Sequence, residues 1–262
     1  MSGTSVPTNF PEVLDLFALN GRFVSAAHYG SGHINDTFKV NFADALGQPK
    51  RYIAQRINHR IFKNVPALME NVRRVTEHLA KKSGSSSRQL TLIPTRTGDS
   101  YARDGHDGWW RFYDFIEAAH TVDRVTNEDQ AREAAKAFGD FQAELADLPG
   151  GRLQETIPNF HHTRSRFEDF RRAVAEDIMG RAGEVQVDID FAFSREADAD
   201  VLLNLLAQGE VSERVTHNDT KINNVMLDDV THRAIAVIDL DTVMPGLPLY
   251  DFGEMMRTSA SS

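Results

Sequence analysis

The sequence predicts an α+β protein in two lobes, a strand-rich first part and a mainly helical second part. Three observations carry this reading. Short apolar segments separated by glycine and aspartate turns fill the stretch up to residue 117. Beyond it, apolar residues recur at helical spacing. The strands also come as a group rather than alternating with helices, which argues against a parallel βαβ sheet. The boundary is therefore placed near residue 117, giving lobes of residues 1–117 and 118–262.

The elements follow in order. Apolar residues at near-helical spacing predict a short helix over 13–19. Residues 21–29 read as a strand, and 29–40 as a strand, a tight turn at Gly30 and Gly32, and a returning strand. Turn chemistry over 43–50 leads to a third strand at 51–57. Asn64 and Pro66 open a helix with Leu68, Val72, Val75 and Leu79 on one face. Residues 83–87 are a serine-rich loop, and 90–95 with 109–116 read as a hairpin around Asp104-Gly105 and Asp107-Gly108. Asn127 and Gln130 resemble a helix cap. Ala131, Ala134, Phe138, Phe141, Leu145 and Leu148 then repeat at 3,4,3,4,3 spacing until Pro149-Gly150-Gly151. That stripe is a core-packing face. Residues 164–179 and 197–206 also read as helices.

Composition narrows the function. With 262 residues, 41% hydrophobic and 9% aromatic, the chain is long enough for real cores and is not disordered. Having no cysteine, it excludes a disulfide scaffold, a thiolate zinc site and a cysteine nucleophile, and a cytoplasmic location is expected. A net charge of −9 argues against nucleic acid as a partner, and no apolar run reaches membrane-spanning length.

The chemistry concentrates in residues 215–241. A loop carries Asp219, Asn224 follows five residues later, and two apolar runs lead to Asp239. A hairpin of those runs brings Asn224 and Asp239 to one end of a sheet. This suits phosphoryl transfer. Asp219 can accept or orient the proton of an attacking hydroxyl, and Asn224 and Asp239 offer hard oxygen ligands to a Mg²⁺ that bridges phosphates. Gly30 and Gly32 let backbone amides approach a polyphosphate, with Asn35 and Thr37 as further donors or as turn stabilisers. His217 reads as a brace for the loop. Asp251-Phe252-Gly253 is a decoy for the metal aspartate, because it lies 27 residues beyond Asn224 where Asp239 lies 15 beyond. Asp241 stays open between a place behind the metal and a loop cap. His161-His162 is not expected to be a metal pair, since adjacent side chains diverge.

Taken together, Tyr29 to Thr37, Gln55 to Asn58, Leu68 to Asn71, the 216–227 loop, Asp239 to Gly246 and Tyr250 to Gly253 resemble the protein-kinase-like small-molecule kinases of the aminoglycoside phosphotransferase and choline kinase superfamily. Within it, they are most similar to the N-acetylhexosamine 1-kinase group. The resemblance implies a protein-kinase-like fold using ATP and Mg²⁺ on a small hydroxylated acceptor, the anomeric hydroxyl of an N-acetylhexosamine or related sugar. An amino alcohol or aminoglycoside acceptor, or a non-catalytic nucleotide-binding fragment, is the alternative. It further implies Asp219 as the catalytic residue, Asn224 and Asp239 on the metal, and Gly30, Gly32, Asn35, Thr37, Arg56 and Lys221 on the nucleotide. Arg56 stands in the Ala54-x-Arg56 pattern where kinases carry a phosphate-pairing cation. Its helix partner would be Glu70 by motif, but the helical wheel turns Glu70 outward, so the partner is left open. The tyrosine–aspartate pair Tyr250-Asp251 is implied to be structural. Members continue through further helices, so a chain ending nine residues after Gly253 is expected to have an incomplete C-terminal lobe.

Overall fold

The computed structural model describes residues 5–30, 32, 34–83 and 88–260. Helix α1 (Phe10–Asp15) opens the chain, earlier than the spacing over 13–19 suggests. Pro11 has no N–H to lose in a first helical turn, so the helix starts there. Strands β1 (Arg22–His28), β2 (Asp36–Ala43) and β3 (Pro49–Ile57) follow as an antiparallel meander. Helix α2 (Val65–Ser83) then crosses one face of the sheet. The remainder of the serine loop lies outside the described residues.

Strands β4 (Leu92–Ile93), β5 (Ala102–Arg103) and β6 (Trp109–Asp114) complete a six-stranded sheet in which β6 pairs β3 along its whole length. The hairpin expected between 90–95 and 109–116 is thereby split. The Asp104–Gly108 turn joins β5 to β6, while β4 pairs the far end of β6. Asp104 makes that turn tight, accepting the N–H groups of His106 at 2.8 Å and Gly108 at 2.7 Å.

The two sheet faces bury different cores. Phe38, Val40, Tyr52, Ala54, Trp110 and Phe112 pack on Phe10, Val13 and Phe17 of the α1 segment. On the other face, Ile57 and Tyr113 pack on Leu68, Met69, Val72 and Val75 of α2, and this core continues into the second lobe through Phe141, Leu145, Leu240 and Val243. Helix α2 is therefore shared between lobes. Where the chain crosses over, Arg88 donates to the carbonyls of Glu117 at 3.1 Å and Ala118 at 3.0 Å and pairs with Asp228.

The second lobe begins at β7 (Ala119–His120) and α3 (Glu128–Glu144), whose Asn127 side chain accepts the Gln130 N–H as the sequence predicts. Helices α4 (Thr163–Glu176), α5 (Gln186–Ser194) and α6 (Val201–Ala207) form a helical layer. The second of these is missed by periodicity, because Val187, Ile189, Phe191 and Phe193 alternate as a strand would. Strands β8 (Arg214–Thr216), β9 (Val225–Asp228), β10 (Ala234–Val237) and β11 (Met244–Gly246) pair as β9–β10 and β8–β11, and α7 (Pro248–Ala260) closes the described chain. Among the described residues, no helix is long and apolar enough to cross a membrane.

Candidate active site

The β9–β10 hairpin brings the chemistry together. The Ile238 N–H donates to the Asn224 carbonyl at 2.9 Å, so Asp239, one residue on, leaves the sheet beside Asn224. Asn224 Nδ2 donates to both the Asp219 carbonyl at 2.8 Å and Asp219 Oδ2 at 3.0 Å. With its amide nitrogen committed, Asn224 keeps Oδ1 as an acceptor. Lys221 Nζ lies 2.6 Å from Asp219 Oδ1.

The loop is held from behind by Asp251 at the start of α7. Its carboxylate accepts the N–H of His217 at 2.9 Å, the N–H of Asn218 at 2.7 Å and Gln142 Nε2 at 2.6 Å, while Thr220 Oγ1 donates to its carbonyl at 2.6 Å. Asp251 thus faces the loop backbone, which is why a metal role by triplet alone fails. His217 donates from Nε2 to Ile238 O at 3.0 Å and accepts the Asp219 N–H on Nδ1 at 3.3 Å. Those partners fix a neutral tautomer between the rings of Phe138 and Phe141. Burial holds its pKa below the ordinary histidine value, against the pull of Asp251.

Asn218 and Asp239 both adopt left-handed backbone, with φ of 64° and 59°. Asn218 is kept there by Nδ2 bonds to Thr216 O and Thr242 O. Asp239 is reached by solvent, yet protein crowds around its carboxylate. That crowding, with the charges of Asp241 and Asp219, pushes its carboxyl well above the usual range, against Arg111 and Lys221. A divalent cation relieves such crowding. Among the described residues no group of three or more His, Cys, Asp or Glu could hold a metal. Mg²⁺ needs only one or two protein oxygens when phosphates supply the rest, and Asn224 Oδ1 with the Asp239 carboxylate fits that requirement.

In the first lobe, Gly30 and Gly32 are exposed, Gly30 has φ +85°, and a Cβ on either meets nothing within 4 Å. Asn35 Nδ2 reaches across the lobes to Asp241 Oδ2 at 2.6 Å. Arg56 is placed differently from the pattern's expectation. It shares the strand face of Tyr52 and Ala54, which is buried on the α1 side, and lies opposite Asp36 and Trp110 in register. The face toward Asp241 carries Gln55 and, on β6, Arg111, which donates to Gln55 Oε1 at 2.9 Å and to Asp241 Oδ1 at 2.5 Å. Burial disfavours that charge, but Asp241 and Asp239 more than offset it and hold the guanidinium protonated. Glu70 pairs with Arg73 on the outer face of α2, as the wheel predicts. The signal for Arg111 was in the sequence: one arginine among Trp109, Trp110, Phe112 and Tyr113 in a central strand.

A sheet lobe joined to a mainly helical lobe, with this loop and hairpin in the second, is a kinase-like architecture. The chain matches the phosphotransferase enzyme family over residues 25–261, and it belongs to that family. Solved structures share the fold. An amicoumacin kinase, solved with AMP-PNP and Ca²⁺, is 13% identical at a TM-score of 0.59, over 95% of this chain and 68% of that one. An aminoglycoside phosphotransferase from Alicyclobacillus acidocaldarius subsp. acidocaldarius is 16% identical at 0.57, over 98% and 73%. A microcompartment-associated aminopropanol kinase is 16% identical at 0.57, over 95% and 73%.

Proposed function

We propose that this chain transfers the γ-phosphoryl group of ATP to a hydroxyl of a small acceptor of the amino alcohol or aminoglycoside class. The observation that supports it most is the single hydrogen-bonded end of the β9–β10 hairpin, where Asn224 joins Asp219 and Asp239 follows Ile238. Asp219 takes the proton of the attacking hydroxyl and orients its oxygen. Lys221, against Asp219, places positive charge beside the transferring group, and the amides near Gly30 and Gly32 cover the phosphates. Asn224 and Asp239 hold Mg²⁺, which supplies charge neutralisation of the phosphate oxygens. Most of the acceleration comes from placement of the hydroxyl and the phosphate against each other. A second reading, an N-acetylhexosamine acceptor phosphorylated at its anomeric hydroxyl, is favoured by the sequence run from Tyr29 to Thr37 and by Gln55-Arg56-Ile57-Asn58.

The test is ADP formation with Mg²⁺ titrated over a panel of aminoglycosides, amino alcohols and N-acetylhexosamines. ADP that appears only with both metal and one acceptor class identifies the kinase and its substrate. Phosphate release without any acceptor would instead mark a hydrolase, and nucleotide binding without turnover a scaffold.

A further inference from the structure

One closed hydrogen-bonded ring ties the two lobes together beside the turn that carries Asp239. Thr37, Gln55 and Arg111 stand side by side on β2, β3 and β6. Gln55 Nε2 donates to Thr37 Oγ1 at 3.1 Å, and Gln55 Oε1 accepts from Arg111 Nε at 2.9 Å. Arg111 Nη1 reaches Asp241 Oδ1 at 2.5 Å, and Asp241 Oδ2 accepts from Asn35 Nδ2 at 2.6 Å. Asn35 is two residues from Thr37 on the same chain, which closes the ring. It is anchored again by the Asn58 N–H, which donates to Asn35 Oδ1 at 2.9 Å.

The charged pair at its centre is dry, with side-chain exposures of 1% for Arg111 and 4% for Asp241. Both carboxylate oxygens of Asp241 are committed to protein donors. Helix α2 supplies no carboxylate here: Met69 Sδ lies against Arg111, Glu70 faces outward, and Asn71 is spent on the backbone of Gln154 and Val243. The carboxylate that pairs the sheet's buried cation therefore comes from the second lobe, two residues after Asp239.

We infer that Arg111 and Asp241 are positioning residues for the phosphate site, setting the spacing between Asn35, immediately before β2, and the turn that carries Asp239. This rests on the reading of those two elements as the holders of a Mg²⁺-bound nucleotide. Neither residue touches the reacting atoms. Their effect is on where the start of β2 and Asp239 stand, so it falls on the metal-bound nucleotide and not on nucleotide binding in general.

The experiment is calorimetric titration of the full chain with Mg·AMP-PNP and, separately, with ADP in EDTA, alongside thermal unfolding. Asp241→Asn weakens Mg·AMP-PNP by about 10–100-fold, the scale lost when groups behind a metal ligand are removed, while ADP in EDTA shifts less than about threefold. Two further variants decide the matter if Asp241→Asn does not fold. Asn35→Ala cuts the tie at its partly exposed end and costs about 10-fold in Mg·AMP-PNP affinity. Arg111→Met combined with Asp241→Leu leaves no unpaired buried charge, keeps the unfolding temperature and still loses the metal-dependent affinity. Unchanged Mg·AMP-PNP affinity in a folded variant overturns the inference, and so does an equal loss with and without metal, which marks a general fold defect. A parent chain that binds no nucleotide overturns the functional reading together with the tie; a parent that binds beside unaffected variants overturns the tie alone.

Discussion

Asp251→Asn separates a structural aspartate from a metal aspartate. Asp251 is 3% exposed and accepts three N–H donors, two of them from the backbone of the loop that carries Asp219. An asparagine can place its oxygen toward His217 and Gln142 at the present Oδ2 position, but its NH₂ then meets the Asn218 N–H. One buried donor is orphaned and the remaining bonds lose their charge assistance, so the variant loses about 2–3 kcal/mol. Full truncation to alanine orphans all three donors and costs about 3–6 kcal/mol, which would leave little of an ordinary domain's stability. The asparagine variant is therefore the useful one. Urea unfolding gives the stability loss. Initial-rate kinetics should show turnover down by about 100-fold, because Asn218 moves and carries Asp219 with it, and small misplacements of that kind have costs of this order. The magnesium concentration needed for half-maximal rate stays as in the parent. A variant within about 0.5 kcal/mol of the parent and fully active would refute the bracing role. A raised magnesium requirement at unchanged stability would make Asp251 a metal ligand after all.

Asp239→Asn should give the opposite pattern: a raised magnesium requirement in the rate assay, with metal-free unfolding at or above the parent's stability because a carboxylate leaves a crowd of acids. Asp219→Asn should lower turnover by about 10²–10⁴-fold while Mg·AMP-PNP affinity by calorimetry stays within a few-fold, since proton acceptance is lost and the phosphate site is not. In Gly246→Ala, the new Cβ falls 2.4 Å from Thr216 Oγ1 and 2.8 Å from Asn218 Oδ1, so the brace must shift; denaturant unfolding should report a loss of about 1–3 kcal/mol. His217 is depressed in the folded state, so the unfolded chain binds the proton first as pH falls. Compared with His217→Gln, the parent's advantage is full above the ordinary histidine pKa and should shrink below it, at up to about 1.4 kcal/mol per pH unit; a difference flat from pH 7 to 5 would contradict a buried neutral ring.

Much of the fold was legible because it is written in local patterns. The α3 stripe and its Asn127 cap, the α2 face of Leu68, Val72 and Val75, and the β9–β10 hairpin each follow from spacing within one element. What escaped is long-range. Whether a residue on β3 faces the cleft depends on which sheet face the α1 segment covers, and no spacing within residues 51–57 states that. A cation two positions from a small residue therefore reads the same on either face. The register with β6 decides it, placing Gln55 and Arg111 together on the α2 side. Helix α5 escaped for the converse reason, its local alternation pointing to a strand that the surrounding helices override.

The two left-handed residues show what the site asks of its backbone. A glycine at 218 or 239 would relieve the strain of positive φ, yet glycine at 218 would lose the bonds that the Asn218 amide makes. Asn218 uses its amide to fasten Thr216 and Thr242, and that fastening joins β8 to the turn after Asp239. Asp239 carries its carboxylate just where the sheet ends, and the left-handed step is what turns the chain there into the short helical turn of residues 240–242. Asp241 leaves that same turn toward Arg111, while Thr242 Oγ1 donates back to the His217 carbonyl at 2.8 Å. The side-chain placements of Asp239, Asp241 and Thr242 thus depend on one strained residue. The strain is local, but the groups that hold it in place come from α7, from β6 and from the loop of Asp219. The geometry around Asp239 is therefore a property of both lobes at once.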